Sequence, residues 1–273
     1  RFYKENYGKY PIPILRAMNF YEICKQKTIY IGKDELIVGE RGPKPKCVPT
    51  FPELTCHSVE DLHVLNTREL QRYTISQEDI DTYEREVIPY WKGRTQRERI
   101  FSHVPQEWKE AYEVGMFTEF MEQRAPGHTA LDGKVYKYGL LDLKECIRKE
   151  LDGLDFMNDP EATDKQEELT AMSISCDAAI LFAERHADLA DEMSLTEKDP
   201  KRAAELRRIA EVCRQVPAHA PRDYWEAIQM YWFVHLGTIP ELNGWDAMNP
   251  GHFDQHLAPF YEKGIADGTL TRC

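Results

Sequence analysis

Residues 239–261, with the sequence IPELNGWDAMNPGHFDQHLAPFY, form the stretch around which the rest of the chain is organised. The stretch combines Asn, Gly and Pro, which favour turns, with carboxylates, histidines and large aromatic side chains. The segments before it mostly have the apolar spacing of ordinary amphipathic helices. Polar groups on turns beside aromatic rings are typical of a pocket lining, but they serve equally well as helix caps. The residues alone favour neither interpretation.

The composition describes a globular protein with a strongly acidic surface. Of 273 residues, 42% are hydrophobic and 30% are charged, and the formal net charge of −12 disfavours nucleic acid or an anionic membrane as a partner. No run approaches the roughly 18 apolar residues of a membrane span, and the first residues lack the apolar core of a signal peptide. Seven scattered cysteines without a C-x-x-C pair favour a reducing compartment. We therefore expect a cytoplasmic protein.

Apolar residues at helical spacing predict that the chain is dominated by helices. Ser58 and Ser76 each stand three residues ahead of an aspartate and predict helix starts, and the second of these helices is expected to end before Pro89. Residues 28–39 have the pattern of a short β-hairpin around Gly32. The other predicted helices cover 11–27, 105–121, 140–151, 160–199, 200–216 and 223–235.

A second concentration of turn residues and reactive side chains lies at 122–129, with the sequence EQRAPGHT. His128 is its candidate for chemistry, and a structural imidazole that bonds the backbone is an equally good interpretation. His252 and His256 have the spacing of a zinc pair, but the Glu that follows the first His in zinc proteases is absent, so we expect no metal site. Nucleotide-binding and serine-hydrolase motifs are also absent from the sequence. From residue types alone, a polar and aromatic pocket near His128 and Asp246 is the limit of the inference.

Several motifs in order resemble the N-terminal part of the glycyl radical enzymes, the pyruvate formate-lyase-like family. They are ELIVG at 35–39, PYWKG at 89–93, QRAPGHT at 123–129 and GHFDQHLAPFY at 251–261. Residues 243–251, NGWDAMNPG, are most similar to the hydroxyproline dehydratase branch of that family. The resemblance covers nearly the whole chain. One departure is His252, which stands where many family members have Arg.

The resemblance implies a fold that is mainly α within an α/β class, as the N-terminal part of a ten-stranded α/β barrel. Residues 1–273 would form the N-terminal portion of one pyruvate formate-lyase-like domain. The family's thiyl-forming Cys and radical-bearing Gly have no counterpart in the sequence. The resemblance therefore implies that this segment alone is inactive and belongs to a longer enzyme.

The resemblance also implies a lyase activity with an anaerobic radical mechanism. An S-adenosylmethionine iron–sulfur activase would install the glycyl radical, and the full-length enzyme, expected to be a homodimer, would remove water from trans-4-hydroxy-L-proline. Phe120, His128 and Asp246 would line the substrate pocket. Asp246 would pair with the substrate ammonium and His128 would protonate the departing hydroxyl, although the two roles are exchangeable at this stage.

Two alternatives remain open from the sequence. The first is another glycyl radical eliminase, such as a glycerol or propanediol dehydratase or a choline lyase. The second is a helical protein-binding module without catalytic activity, which would use the acidic, Tyr-rich surface to bind partners. The activity of the full-length protein distinguishes all three.

Overall fold

The computed structural model describes residues 2–116, 131–242 and 249–272, and in these ranges it is dominated by helices and contains no β-strand. This confirms the prediction that helices dominate the chain. The helices are α1 (Phe2–Asn6), α2 (Ile12–Gln26), α3 (Val59–Thr67), α4 (Gln77–Thr82), a π-helical turn (Tyr83–Val87), α5 (Ile88–Trp91), α6 (Gln96–His103), α7 (Gln106–Glu113), a 3₁₀ turn (Asp132–Tyr136), α8 (Leu140–Asp152), α9 (Ala162–Thr196), α10 (Pro200–Gln215), α11 (Tyr224–Leu242) and α12 (Phe253–Asp267).

The chain divides into two compact units. Unit 1 comprises Arg1–Glu40, Thr129–Thr238 and Pro250–Cys273. Unit 2 comprises Arg41–His128 and Ile239–Asn249. None of the described helices is long and apolar enough to cross a lipid bilayer.

Helix α9 is the central element of unit 1. Its inner face carries Ala178, Ala183, Ala187 and Ala190, each no more than 1% exposed. Because alanine side chains are short, α2 and α10 can pack closely against this face. At the start of α10, the Asp199 carboxylate accepts a hydrogen bond from the Lys201 amide at 3.0 Å, as the predicted N-cap requires.

Helix α11 is buried on most sides, as its nearly continuous apolar sequence predicts. Ala227, Met230 and Phe233 are at most 1% exposed, and so are two polar residues, Glu226 and Gln229. The Glu226 carboxylate accepts hydrogen bonds from the Arg222 amide and guanidinium, which offset the cost of burying its charge. Polar contacts as well as apolar packing therefore hold α11 in place.

The segment 27–40 was predicted to contain a β-hairpin, and this prediction was wrong. Side chains from distant helices bind its backbone in place of a paired strand. Arg202 donates to the Glu35 and Gly32 carbonyls at 2.9 and 3.0 Å, and Trp232 Nε1 donates to the Gly39 carbonyl at 2.8 Å. Since these bonds satisfy the backbone groups, the segment does not need a hairpin.

Unit 2 is built from short helices with strong N-terminal caps. The capping boxes predicted at Ser58 and Ser76 are both present, with Asp61 and Asp79 as the reciprocal partners. The expected helix end before Pro89 was wrong, because the chain stays helical through the π-helical turn and α5 to Trp91. Pro89 follows the π-helical turn, whose last bond joins the Ile88 amide to the Tyr83 carbonyl.

Helix α7 is shorter than the predicted 105–121. It ends at Glu113, and the chain leaves it through Gly115, whose φ of 74° is accessible to glycine without strain. Residues 117–121 of the predicted helix lie outside the described residues.

Candidate functional site

The three predicted site residues, Phe120, His128 and Asp246, lie outside the described residues. The prediction that the loops around His128 and Asp246 come together therefore stays a prediction. The described structure does show the elements into which both segments lead, and both are in unit 1.

The chain that follows residues 117–130 enters the 3₁₀ turn under backbone strain. Leu131 and Asp132 have φ values of 58° and 48°, in the left-handed region that side chains other than glycine rarely adopt. Non-glycine residues in this region cost on the order of 1 kcal/mol each and persist where surrounding contacts hold them. The turn is held through Val135 and Tyr136, which are 2% and 8% exposed in the second core of unit 1.

The chain that follows residues 243–248 passes through Asn249 and Gly251 into α12. His252 occupies the N-cap position of α12 without a capping hydrogen bond from its side chain. One turn later, Leu257 is 5% exposed and packs in the same core as Tyr136. The end of the 3₁₀ turn and the first turns of α12 therefore share one apolar core.

Aromatic side chains on α11 face the start of α12. The hydroxyl of Tyr231 lies 3.2 Å from Nδ1 of His235, and its ring centroid is 5.7 Å from that of Phe253. The His235 ring in turn stacks on Trp232, with the two ring centroids 5.5 Å apart. Burial raises the pKa of Tyr231, so this phenol stays protonated at neutral pH.

Tyr136 is the second buried phenol in this region. Burial, together with the neighbouring Tyr231, raises its pKa to about 12. A tyrosine with this pKa is a hydrogen-bond donor rather than a base at neutral pH. These two phenols line an aromatic region that can position other groups without taking up a proton.

The buried thiols of Cys176 and Cys213 lack the features of a nucleophile. Burial raises the pKa of Cys176 to about 11 and that of Cys213 to about 12, so both remain thiols at neutral pH. No cluster of three potential metal ligands occurs among the described residues. His252 and His256, the pair with zinc-like spacing, lie at the N-cap and the first turn of α12.

Unit 2 has an open cleft of its own between α5 and α6. Trp91, Arg94 and His103 contribute to its lining. The guanidinium of Arg94 also lies 4.9 Å from the ring centroid of Tyr90, in a cation–π arrangement. The PYWKG motif thus borders a cleft in unit 2.

The sequence profile of the pyruvate formate lyase-like family matches residues 1–273. The chain therefore belongs to this family.

Within the family, the chain is 48% identical over 270 residues to trans-4-hydroxy-L-proline dehydratase of Clostridioides difficile. The crystal structure of that enzyme with trans-4-hydroxy-L-proline bound superposes with a TM-score of 0.88, covering 98% of this chain. A structure from Roseburia inulinivorans concerned with 1,2-propanediol dehydration has a TM-score of 0.88 at 32% identity, covering 99% of this chain. A glycyl radical enzyme from Archaeoglobus fulgidus has a TM-score of 0.84 at 29% identity, again covering 99%.

The chain spans about a third of the length of these relatives: 34% of the first two and 35% of the third. The expected fold class, helices that form part of a glycyl radical enzyme barrel, is confirmed by these superpositions. The contacts of the 3₁₀ turn with α12 were not predicted. The motif at 251–261 was interpreted as a family resemblance, and the spacing of His252 and His256 as a metal pattern. Neither pattern specifies a partner in the 3₁₀ turn.

Proposed function

We propose that the chain is part of a glycyl radical dehydratase that removes water from trans-4-hydroxy-L-proline. The observation that carries the proposal is the 48% identity to the Clostridioides difficile hydroxyproline dehydratase across 99% of this chain. Residues 1–273 would supply part of the enzyme's pyruvate formate-lyase-like domain. The non-catalytic alternative, a helical binding module, has no comparable support.

Sequence identity, rather than backbone similarity, favours this substrate over a linear diol. The hydroxyproline and propanediol structures have the same TM-score, 0.88, against this chain. The backbone is therefore common to enzymes for both substrate types, and the side chains must account for specificity. The identities of 48% and 32% favour hydroxyproline.

The roles that we propose for the site residues follow from the substrate's charges. The Asp246 carboxylate pairs with the ring ammonium, and this pairing offsets the cost of burying both charges. His128, protonated, donates a hydrogen bond to the 4-hydroxyl group and transfers a proton as the C–O bond breaks, so that water departs. Phe120 packs against the apolar part of the ring. The glycyl radical of the full-length enzyme supplies hydrogen-atom abstraction.

The proposal includes the requirements of the whole enzyme. A radical activase that uses S-adenosylmethionine and an iron–sulfur cluster would install the radical. Because such radicals react with oxygen, the enzyme would work anaerobically, and we propose that it does so in the cytoplasm as a homodimer.

A substrate panel tests the proposed function. The full-length protein is activated anaerobically and offered trans-4-hydroxy-L-proline, 1,2-propanediol, glycerol and choline in separate reactions. We expect loss of hydroxyproline with formation of a cyclic imine acid, and no product without activation. Turnover of a linear substrate but not of hydroxyproline would refute the proposal.

A further inference from the structure

Arg41, at the start of unit 2, is a half-buried arginine without a partner among the described residues. Its Nε is buried and makes no hydrogen bond, and its guanidinium forms no ion pair within the described ranges. Burial lowers the pKa of Arg41 below its usual range, and the neighbouring Tyr73 phenol offsets this only in part. Because a guanidinium stays charged at neutral pH, a positive charge is withdrawn from water here without compensation.

Guanidinium groups that are buried in unit 1 have partners. Arg202, which is 8% exposed, donates to two backbone carbonyls of segment 27–40 and pairs with Glu205 at 3.1 Å. Arg185 donates to two carbonyls at the C-terminal end of α2. Since pairing is what offsets the cost of burying such a charge, Arg41 requires an anionic group that the described residues do not supply.

The loop that carries Arg41 is held in place within unit 2. The Lys46 carbonyl accepts a hydrogen bond from the Thr74 amide at 3.0 Å, and the Cys47 thiol donates to the Thr74 carbonyl at 3.1 Å. Gly42 packs so closely that a Cβ there would stand 2.1 Å from the Cys47 carbonyl oxygen, and only glycine fits. These contacts define the position of the Arg41 backbone within the folded unit.

The loops beside Arg41 are basic, in contrast to the net charge of −12 for the chain. Lys44 and Lys46 follow Arg41 in the same loop, and Arg72 lies close to the Thr74 contact in sequence. These three residues are exposed and form no salt bridge with a described residue. The carboxylate that Lys44 influences, Asp79, is already engaged in the capping box of α4. Such a surface attracts a carboxylate, and the planar fork of a guanidinium is suited to bind one with two hydrogen bonds.

We propose that Arg41 lies where unit 2 contacts the part of the full-length protein outside residues 1–273, and that a carboxylate of that part pairs with it. The chain spans about a third of the length of its relatives, so most of such an enzyme is available to cover this surface. The inference rests on the proposed function only in treating these residues as part of a longer enzyme. A second copy of the protein and a small anion are the competing occupants.

Hydrogen–deuterium exchange of the full-length protein tests whether Arg41 is paired. Arg41→Met keeps most of the apolar stem but removes the charge, so a paired carboxylate would lose its partner. We expect about tenfold faster exchange in peptides of 41–52 and in one segment outside residues 1–273. Arg72→Met, at an exposed position, is the matched control and should leave exchange unchanged. Unchanged or slower exchange in Arg41→Met, or an increase confined to residues 1–273, would overturn the proposal.

Chemical cross-linking identifies the partner. Arg41→Lys keeps the positive charge and supplies an amine, which a carbodiimide joins to a contacting carboxylate as an amide with loss of water. We expect one new cross-link from position 41 to an Asp or Glu outside residues 1–273, absent from wild type and from Arg72→Lys. Neutralising that Asp or Glu should reproduce the exchange pattern of Arg41→Met, without a further increase in the double variant. A cross-link within residues 1–273, a product of twice the monomer mass or no new product would contradict the inference.

The inference and the proposed function fail in distinguishable ways. Neither exchange nor cross-linking uses the substrate or the radical, so a protein that converts propanediol instead of hydroxyproline still shows whether Arg41 is paired. Conversely, an unpaired Arg41 would leave the outcome of the substrate panel unchanged.

Discussion

A single buried amide illustrates how residues of this protein replace regular secondary structure. Gln229 is fully buried on α11, and its side chain accepts from the Val38 amide and donates to the Val38 carbonyl, each at 2.8 Å. The side chain therefore makes the pair of bonds that a neighbouring strand would otherwise provide. Gly39, the next residue, has a φ of 112° and would place a Cβ 2.8 Å from Leu236, so only glycine fits there.

We expect Gln229→Met to destabilise unit 1 strongly. Methionine has nearly the same length but leaves both buried backbone groups of Val38 unpaired, which costs about 2–4 kcal/mol. Urea unfolding of the full-length protein, followed by tryptophan fluorescence, measures the change. Gln166→Met, at an exposed position of α9, is the matched control and should change stability by less than about 0.5 kcal/mol. Equal effects of the two substitutions would contradict the role of Gln229.

His186 makes the stability of unit 1 depend on pH. It is fully buried on α9, its Nδ1 donates to the Phe182 carbonyl at 2.8 Å, and burial lowers its pKa to about 4. The unfolded chain binds this proton near the ordinary value of about 6.5, so acidification between the two values favours unfolding. Above about pH 6.5 this proton is bound in neither state, and the free energy of unfolding has its full value. Near pH 4 the free energy of unfolding is lower by about 3 kcal/mol.

The pH dependence of the free energy of unfolding tests this prediction. Between about pH 6.5 and pH 4 we expect the free energy of unfolding to fall more steeply in the wild-type protein than in His186→Gln. His219→Gln, which changes an exposed histidine, should keep the wild-type slope. The same slope in His186→Gln and wild type would show that another group is responsible.

At the scale of elements, the small side chains of α9 set how closely its neighbours pack. Ala187 is fully buried within the main core of unit 1, together with residues of α2, α10 and α11. Such a site has no space for three additional carbon atoms, and packing at this density transmits strain to neighbouring helices.

We therefore expect Ala187→Leu to destabilise the protein by about 1–3 kcal/mol, because overpacking forces side chains out of their preferred rotamers. Increased hydrogen exchange in α2 and α10, as well as in α9, would locate the strain. Glu184→Leu, one turn away on the exposed face, controls for the added leucine. If both variants were equally stable, the packing argument for α9 would be wrong.

At the scale of the whole molecule, this chain spans about a third of the length of its relatives. We therefore test the proposed site roles in the full-length protein after activation. Radical formation and substrate turnover are measured there as two independent properties.

In the activated enzyme, we expect His128→Gln to lower kcat by about 10²–10⁴-fold, because it removes the proton donor for the departing hydroxyl. Radical content should be unchanged. Asp246→Asn should also raise KM, because it removes the charge that binds the substrate ammonium. Wild-type turnover by both variants would leave neither residue with its proposed role and would favour a structural imidazole at His128.

Local sequence patterns predicted most helices because their causes are local. The capping residues Ser58 and Ser76, the Asp199–Pro200 start of α10 and the apolar spacing of α9 act within one or two turns. A helix end that depended on an unusual turn was predicted wrongly, as at Pro89. The catalytic roles of His128 and Asp246 stay predictions, and the stacking of His256 on Tyr136 was not predicted.

The sequence by itself determined the helical class, the order of the main helices and the membership in the pyruvate formate lyase-like family, since periodicity, caps and motifs are written in consecutive residues. Only the tertiary structure decided the path of segment 27–40 and the contacts of His256. The bonds of Val38 with Gln229 join residues 191 positions apart, and Asp132 meets His256 from a different part of the chain. Such pairings depend on how the helices pack in three dimensions, and no local pattern specifies them.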